Sequence, residues 1–247
     1  MAEMSHVAIT QDPQLQLLSD ALGIARQFAV GERYTVPLSA DALVRVSEEL
    51  NVGRETPAPL RVEYDHRVRP HPHATTGYAR LSPTDYFNAV TDLVRARALR
   101  AAELNFHLPL ETQFIEHQDE ASARCFMDFV DAVGKAAGVT PVWENAPLLE
   151  DGTWRLIRNT EHIPHDRLLC LDTGHLILGS RDQTEALARI DTFWDHHGAQ
   201  VRHLHIHVND LVHDQHVNDP AKVIEFLGLE RFVRITANAT YIFERGL

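Results

Sequence analysis

The sequence has few of the features that mark secreted, membrane or polyanion-binding proteins. Only two cysteines occur in 247 residues, which is too few for a disulfide framework and is typical of a reduced, cytoplasmic protein. No apolar run approaches the length that spans a bilayer, and the first residues do not resemble a signal peptide. The formal net charge is -12 and no block rich in Lys and Arg is present, which argues against binding a polyanion over the whole surface.

Several common catalytic signatures are absent as well. The sequence has no glycine-rich phosphate loop, no C-x-x-C zinc motif and no arrangement that pairs a nucleophilic Ser or Cys with a base. Histidine is abundant instead, with 16 residues, and it is the commonest metal ligand. A hydrophobic content of 44% is enough for a real core. The composition therefore favours a globular protein that binds metal through imidazoles.

Five short apolar runs end in acidic or imidazole side chains. They lie about 30 to 40 residues apart, roughly the length of one βα unit. The runs are LNFH (104–107), VWEN (142–145), LCLDTGH (169–175), HIHVND (205–210) and YIFE (241–244). Because α/β barrels build their active sites at the carboxyl ends of the strands, this pattern predicts a metal site at one end of a barrel.

Helix signals separate these runs and predict a parallel sheet. We expect helices at about 14–28, 39–53, 82–101, 120–137, 180–197 and 219–228, and further strands at 7–9, 34–38 and 60–66. Eight strands that alternate with helices predict a parallel, eight-stranded (β/α)8 TIM barrel. We expect this barrel to form one domain over residues 1–247 and to lack a helix after the last strand. Two smaller domains are the weaker alternative.

The alternation of side chains along a strand tests this prediction. Side chains two residues apart share a face, so Asp172 inside the barrel places Cys170 inside as well. His207 inside likewise places His203 and His205 inside, and we expect these two to pack in the barrel interior rather than to bind metal. The apolar residues of both strands then face the helices, as the barrel requires.

The strand at 60–66 fits this alternation less well. If His66 points into the barrel, three charged side chains of the same strand point towards the helices. His71 and His73, in the segment that follows, are therefore alternatives to His66 near the site.

Six motifs in this order resemble the xylose-isomerase-like TIM-barrel superfamily. They are LNFH ending at His107, EN at 144–145, LDTGH at 171–175, HVND at 207–210, DQH at 214–216 and IFE ending at Glu244. That superfamily includes sugar isomerases and epimerases, dehydratases of keto-inositols, and the apurinic-site nucleases of the endonuclease IV family (AP endonuclease family 2). The resemblance covers residues 60–247.

The resemblance implies two overlapping sets of metal ligands. The isomerase-like set surrounds one Mn²⁺, Mg²⁺, Co²⁺ or Zn²⁺ ion and corresponds to Glu144, Asp172, His207 and Glu244. The nuclease-like set holds three zinc ions and adds further residues, namely His107, His175, Asp214, His216 and a histidine near His66. The chain departs from the nuclease-like pattern, because no glycine-rich sequence follows the Asp-x-His pair and no DNA-penetrating loop is visible.

These observations favour a metal-dependent isomerase or epimerase. It would act on a small sugar, sugar phosphate or hydroxy-keto acid, and Glu144 and Glu244 would be both metal ligands and acid/base groups. The alternative is a zinc-dependent phosphodiester hydrolase resembling endonuclease IV, with nucleic acid as a partner under that alternative alone. A third class is a barrel that has lost activity and serves as a binding subunit. We expect no membrane partner, and homo-oligomerisation remains open.

Overall fold

The computed structural model describes most of the chain after residue 59. The described residues are 60–67, 69–74, 81, 83–109, 120–145, 148–150, 153–155, 163 and 165–244. The predicted strands at 7–9 and 34–38, together with their helices, lie outside these residues. The last three residues also lie outside them, so the prediction that no helix follows the last strand stays a prediction.

Strands and helices alternate over much of the described chain. The strands are β1 (Arg61–Tyr64), β2 (Pro70–His73), β3 (Glu103–His107), β4 (Thr140–Glu144), β5 (Leu148–Glu150), β6 (Thr153–Arg155), β7 (Leu169–Asp172), β8 (Val201–His205) and β9 (Thr240–Ile242). The helices are α1 (Pro83–Ala98), α2 (Glu120–Ala137), α3 (Thr173–Ile177), α4 (Gln183–His197), α5 (Pro220–Leu227) and α6 (Leu229–Thr236). The α/β class predicted from the sequence is confirmed.

Seven of these strands form one sheet in the order β1-β2-β3-β4-β7-β8-β9. The pairs β4–β7, β7–β8 and β8–β9 are parallel. The two ends of this order meet, because the backbone N–H of His66, just after β1, donates to the carbonyl of Tyr241 in β9 at 2.9 Å. The sheet is therefore nearly closed, mostly parallel and barrel-like. The described residues place seven strands in it, and the predicted count of eight stays a prediction.

The ends of the helices follow local capping chemistry. Asp182 accepts a hydrogen bond from the N–H of Glu185 at 2.9 Å, so α4 begins at Gln183 rather than at the predicted residue 180. Asp219 caps α5 in the same way, and Pro220 occupies its first turn. Gly228 ends α5 with a φ of 79°, a conformation that costs glycine little, and α6 follows immediately. The sequence did not predict α6 as a separate helix.

Of the six strand ends predicted within the described residues, three are confirmed and three differ. β1 ends at Tyr64 rather than at residue 66. β3, β4 and β7 end at His107, Glu144 and Asp172 as expected. β8 ends at His205, so His207 lies two residues beyond the strand, and Glu244 lies two residues beyond β9. The hairpin of β5 with β6, the short helix α3 and strand β2 were not predicted. Proline at positions 70 and 72 removes two strand donors, which is why β2 reads as a loop from sequence.

The chain divides into two compact units. The first comprises residues 1–61, 72–104 and 119–141, and the second comprises residues 62–71, 105–118 and 142–247. In the first unit, α1 packs on α2 through Tyr86, whose ring lies 4.9 Å from that of Phe126. The prediction of one domain over residues 1–247 stays a prediction. None of the described helices is long and apolar enough to cross a membrane.

The core of the second unit lies along its sheet and α4. Trp143, Leu171 and Leu204 are fully or almost fully buried on β4, β7 and β8, and Phe193 of α4 is buried as well. These apolar side chains alternate along the strands with polar ones, as the sequence pattern predicts. The polar set of the second unit is therefore collected on the opposite face of the same strands.

Candidate metal centre

Register between neighbouring strands brings the polar side chains together. Asp172, the last residue of β7, pairs with His205, the last residue of β8. His205 in turn pairs with Ile242 of β9, two residues before Glu244. Because the strands are parallel, their carboxyl ends lie at the same edge of the sheet. Acidic and imidazole side chains at that edge therefore meet within the second unit.

Four buried residues form the first cluster, which we call the acidic group: Glu144, Asp172, His205 and Glu244. Their ligand atoms all lie within 4.8 Å of one another. His205 Nδ1 is 3.1 Å from Glu144 Oε1, 3.8 Å from Asp172 Oδ2 and 3.6 Å from Glu244 Oε2. One imidazole nitrogen therefore faces three carboxylates that come from three different strands or strand ends.

A second cluster, which we call the histidine group, consists of His175, His207, Asp214 and His216. His175 Nε2 lies 3.5 Å from Asp214 Oδ2, and His216 Nδ1 lies 3.3 Å from Asp214 Oδ1. The rings of His207 and His216 stack with centroids 4.1 Å apart. His175 and His207 are buried, whereas Asp214 and His216 are partly exposed. The histidine group is therefore closer to solvent than the acidic group.

The two groups are in direct contact. His207 Nε2 lies 3.0 Å from Asp172 Oδ1, which belongs to the acidic group. His216 Nε2 lies 3.7 Å from Glu244 Oε2, and His175 Nδ1 lies 3.5 Å from Glu144 Oε1. Acidic residues therefore line the boundary between the groups and face imidazoles on both sides.

Asn145 and the cap of α3 hold the strand ends in place. The side-chain amide of Asn145 donates to the carbonyl of Asp172 at 2.9 Å, and its oxygen accepts from the N–H of Asp172 at 2.8 Å. Asp172 Oδ1 in turn accepts from the N–H of His175 at 2.6 Å and caps α3. His175 Nδ1 lies 3.1 Å from the carbonyl oxygen of Asn145, which can only accept. Nδ1 therefore carries a proton in this contact, and Nε2 faces Asp214.

The two residues between Asp172 and His175 also have structural roles. Thr173 Oγ1 donates to the carbonyl of His207 at 2.8 Å and fixes the segment after β8. Gly174 lies against the ring of His207, and a Cβ there would be 1.9 Å from His207 Cε1. Only glycine leaves room for that imidazole, so each residue of the D-T-G-H motif contributes to the centre.

The charges of the acidic residues and imidazoles reinforce one another. Burial raises the pKa of Glu144, but the attraction of His205 and a hydrogen bond from it outweigh burial and hold that pKa below its usual range. Burial likewise raises the pKa of Asp172, and His175 and His207 lower it further than burial raises it. For His175, burial lowers the pKa, whereas Asp172 and Asp214 raise it, to about 9. At neutral pH without metal, Glu144 and Asp172 are therefore carboxylates and His175 is an imidazolium.

Burial determines the pKa shifts of two residues at the edge of the centre, His107 and Cys170. Burial lowers the pKa of His107, so its imidazole is neutral at pH 7 and available as a donor of electron pairs. Burial and the neighbouring carboxylates raise the pKa of the Cys170 thiol well above its usual range. The side-chain amide of Asn105 donates to Glu144 Oε2, which leaves Oε1 of that carboxylate directed at His205.

Most residues proposed from the sequence lie in the two groups, with two exceptions. The ring of His107 meets that of His175 edge-on at 6.3 Å but belongs to neither group. His66 is exposed, stacks on Tyr241 and accepts the N–H of Tyr241 at 3.1 Å, so the structure does not bring it to the centre. Of the two alternatives from the sequence, His71 is buried in the second unit and His73 is buried in the first.

His205 is fully buried, in line with the expected interior packing. It also belongs to the acidic group, whereas the resemblance had placed His207 with these three carboxylates. The H-x-H sequence at 205–207 was the available signal, because it puts two imidazoles at the carboxyl end of one strand. That any of these residues binds metal stays a prediction.

Comparison with protein-family models gives no match, and comparison with curated proteins gives none. Among solved structures, the chain is similar to the TTHB071 protein from Thermus thermophilus, a structure described as soaked with ZnCl2. The two share 19% sequence identity over 70% of each chain, with a TM-score of 0.47. A likeness of this degree carries no function over to the present chain.

Proposed function

We propose that this chain is a divalent-metal-dependent enzyme that holds at least two ions and hydrolyses a phosphodiester. The observation that carries the proposal is the direct contact of two ligand groups, at Asp172 with His207 and at Glu244 with His216. A single ion needs only one such group. Pairs of ions about 3.5–4 Å apart are typical of phosphatases and nucleases.

The donor atoms fit divalent metals. Mixed carboxylate and imidazole ligands suit Zn²⁺ and Mn²⁺. Among the described residues, His207 Nδ1 and Asp214 Oδ1 are buried without a hydrogen bond and lie 4.0 Å apart. Buried polar atoms usually have a partner, and a cation between these two atoms would supply one. The acidic and histidine groups would each hold an ion.

Divalent ions held there would supply Lewis-acid stabilisation of the negative charge that develops on a phosphodiester during hydrolysis. Asp172 and Glu244 would hold the two ligand groups together, because each carboxylate contacts imidazoles of both. Glu144, kept ionised and oriented by Asn105, would contribute ligand charge and accept a proton. Asp214 and His216 are partly exposed, so a substrate would approach from their side.

A one-metal isomerase or epimerase of a small sugar is the second candidate. The observation that favours it is the composition of the acidic group alone, which offers two glutamates, one aspartate and one histidine, all buried. Glu144 and Glu244 would then move a proton next to a carbonyl polarised by the ion. The net charge of -12 also suits a small substrate better than a nucleic acid.

Metal stoichiometry separates the two candidates. We expect two or more zinc or manganese ions per chain after loading and desalting, measured by elemental mass spectrometry. Asp214→Asn should lose one ion and Asp210→Asn, in the same loop but outside both groups, should lose none. Cleavage of bis-p-nitrophenyl phosphate and of a duplex with an abasic site is the direct assay. One exchangeable ion, with the same count in Asp214→Asn, would overturn the hydrolase and support the isomerase.

A further inference from the structure

A third cluster of ligand atoms lies beside the acidic group in the second unit. Cys170 precedes Asp172 by two residues on β7, so both side chains lie on the same face of the strand. Its Cα neighbours are Glu144 on β4 and His203 on β8. The thiol therefore points to the same interior as the acidic group, one layer further from the carboxyl ends of the strands.

Two histidines join this thiol. The ligand atoms of His71, Cys170 and His205 all lie within 4.8 Å of one another. His71 Nε2 is 2.9 Å from His205 Nε2. All three residues are buried, and the relative exposure is 5% for His71 and 0% for the other two. We call these residues the thiol group.

His205 belongs to both the thiol group and the acidic group, but through different atoms. Its Nδ1 faces the carboxylate of Glu144 at 3.1 Å, whereas its Nε2 faces His71. A histidine ring that has lost both of its protons can bind a metal through each nitrogen, so with an ion in each group His205 would be a bridging imidazolate. The two groups therefore do not compete for one donor atom.

The donor chemistry of the thiol group differs from that of the acidic group. Thiolate sulfur and imidazole nitrogen select zinc and softer metals, whereas carboxylate oxygens also suit harder ions. We propose that His71, Cys170 and His205 form a further metal site for Zn²⁺ or a similar thiophilic divalent cation, separate from the acidic and histidine groups. On binding, the Cys170 thiol gives up its proton to solvent as the metal–sulfur bond forms. The proton of the hydrogen bond between the two histidines is also released to solvent, and two metal–nitrogen bonds replace that hydrogen bond.

Cobalt(II) absorption tests this site, because a thiolate ligand gives an intense sulfur-to-cobalt charge-transfer band in the near ultraviolet. The full-length chain loaded with Co²⁺ should show the band, and Cys170→Ser should lose it. Cys125→Ser is the matched control, since Cys125 is also buried but lies in α2, and this variant should keep the band. His71→Gln should weaken or abolish the band without removing the thiol.

A second measurement needs no variant and covers the case in which Cys170→Ser does not fold. X-ray absorption of the zinc-loaded wild type should show a sulfur ligand at about 2.3 Å. Bound zinc without sulfur scattering, or a cobalt band that persists in Cys170→Ser, would overturn the proposed site. The contact of His71 with His205 would then be a hydrogen bond that orients the ring of His205. Asp214→Asn, which tests the proposed function, should leave the band intact, so the two proposals fail separately.

Discussion

The Asp172 carboxylate and the His207 imidazole meet at 3.0 Å, although 35 positions separate them in the sequence. Asp172 ends β7, and His207 follows β8, its neighbour in the sheet. The same carboxylate also caps α3 and contacts His175 and His205. This one side chain therefore connects both ligand groups to the backbone that positions them.

We expect Asp172→Asn to remove metal from both groups. The amide keeps the size of the side chain and part of the α3 cap, but it removes the negative charge that faces three imidazoles. Phosphodiesterase activity should fall by more than the roughly 10- to 100-fold loss typical of changes outside the ligand shell. Elemental analysis of the purified variant checks the metal loss, with Asp214→Asn as the comparison that affects the histidine group alone. Full metal content in Asp172→Asn would contradict this role.

Gly174→Ala should displace the ring of His207. The added Cβ would lie 1.9 Å from His207 Cε1, which is far inside contact distance, so the imidazole or α3 must move. Overpacking of this kind costs about 1–3 kcal/mol of the free energy of unfolding. We expect a lower urea midpoint and a weaker affinity for zinc, measured by chelator competition. Unchanged values for both quantities would show that the ring moves aside without cost.

Zinc binding should release a proton from His175 at neutral pH. The imidazolium cannot donate an electron pair to a metal, and the pKa of His175 is raised to about 9 in the metal-free chain, chiefly because Asp172 and Asp214 outweigh burial. Affinity should therefore rise as the pH increases from 7 to 9 and become level above that. Calorimetry at pH 7 in buffers of different ionisation enthalpy counts the protons released. Binding without this proton release would sink the assignment of His175 as a ligand.

Asp191 should stabilise the packing of α6 on α4 in a pH-dependent manner. Arg231 donates to both of its carboxylate oxygens at 2.8 Å, and Arg234 donates to Oδ1 as well. The hydrogen bond from Arg231 is the main reason that the pKa of Asp191 lies below its usual value. The stability that this carboxylate contributes is therefore present above the unfolded pKa of about 3.9 and is lost as the pH falls through the lower folded pKa.

Asp191→Asn measures that contribution. Because a third of the side chain is exposed, we expect a loss of at most about 1 kcal/mol at pH 7 in urea unfolding, reduced by salt. The difference from wild type should shrink as the pH falls below the unfolded pKa of about 3.9 and through the lower folded pKa of Asp191. Asp195→Asn, at an exposed position on the same helix, should leave the urea midpoint near the wild-type value. A difference that does not depend on pH would point to packing rather than charge.

Much of the framework was readable from the sequence. The apolar runs that end at His107, Glu144 and Asp172 were identified as strands, and α2 occupies the range that its pattern and the following Gly138 predict. These features depend on alternation and capping between near neighbours, which a single sequence displays. Strand β2 was missed because its two prolines and short length carry no strand signal.

The sequence by itself determined which side chains are available: a set of acids and imidazoles at strand ends, on the polar face of an alternating pattern. Only the tertiary structure decided which of them meet. His205 ends β8 and His207 lies two residues beyond it. The register of β8 against β7 and β9 places His205 among the three carboxylates, and His207 lies in the group with Asp214. That register arises from pairing between strands, so neither strand encodes it alone. The tertiary structure likewise decided between His66 and His71, because the fold buries His71 and leaves His66 exposed.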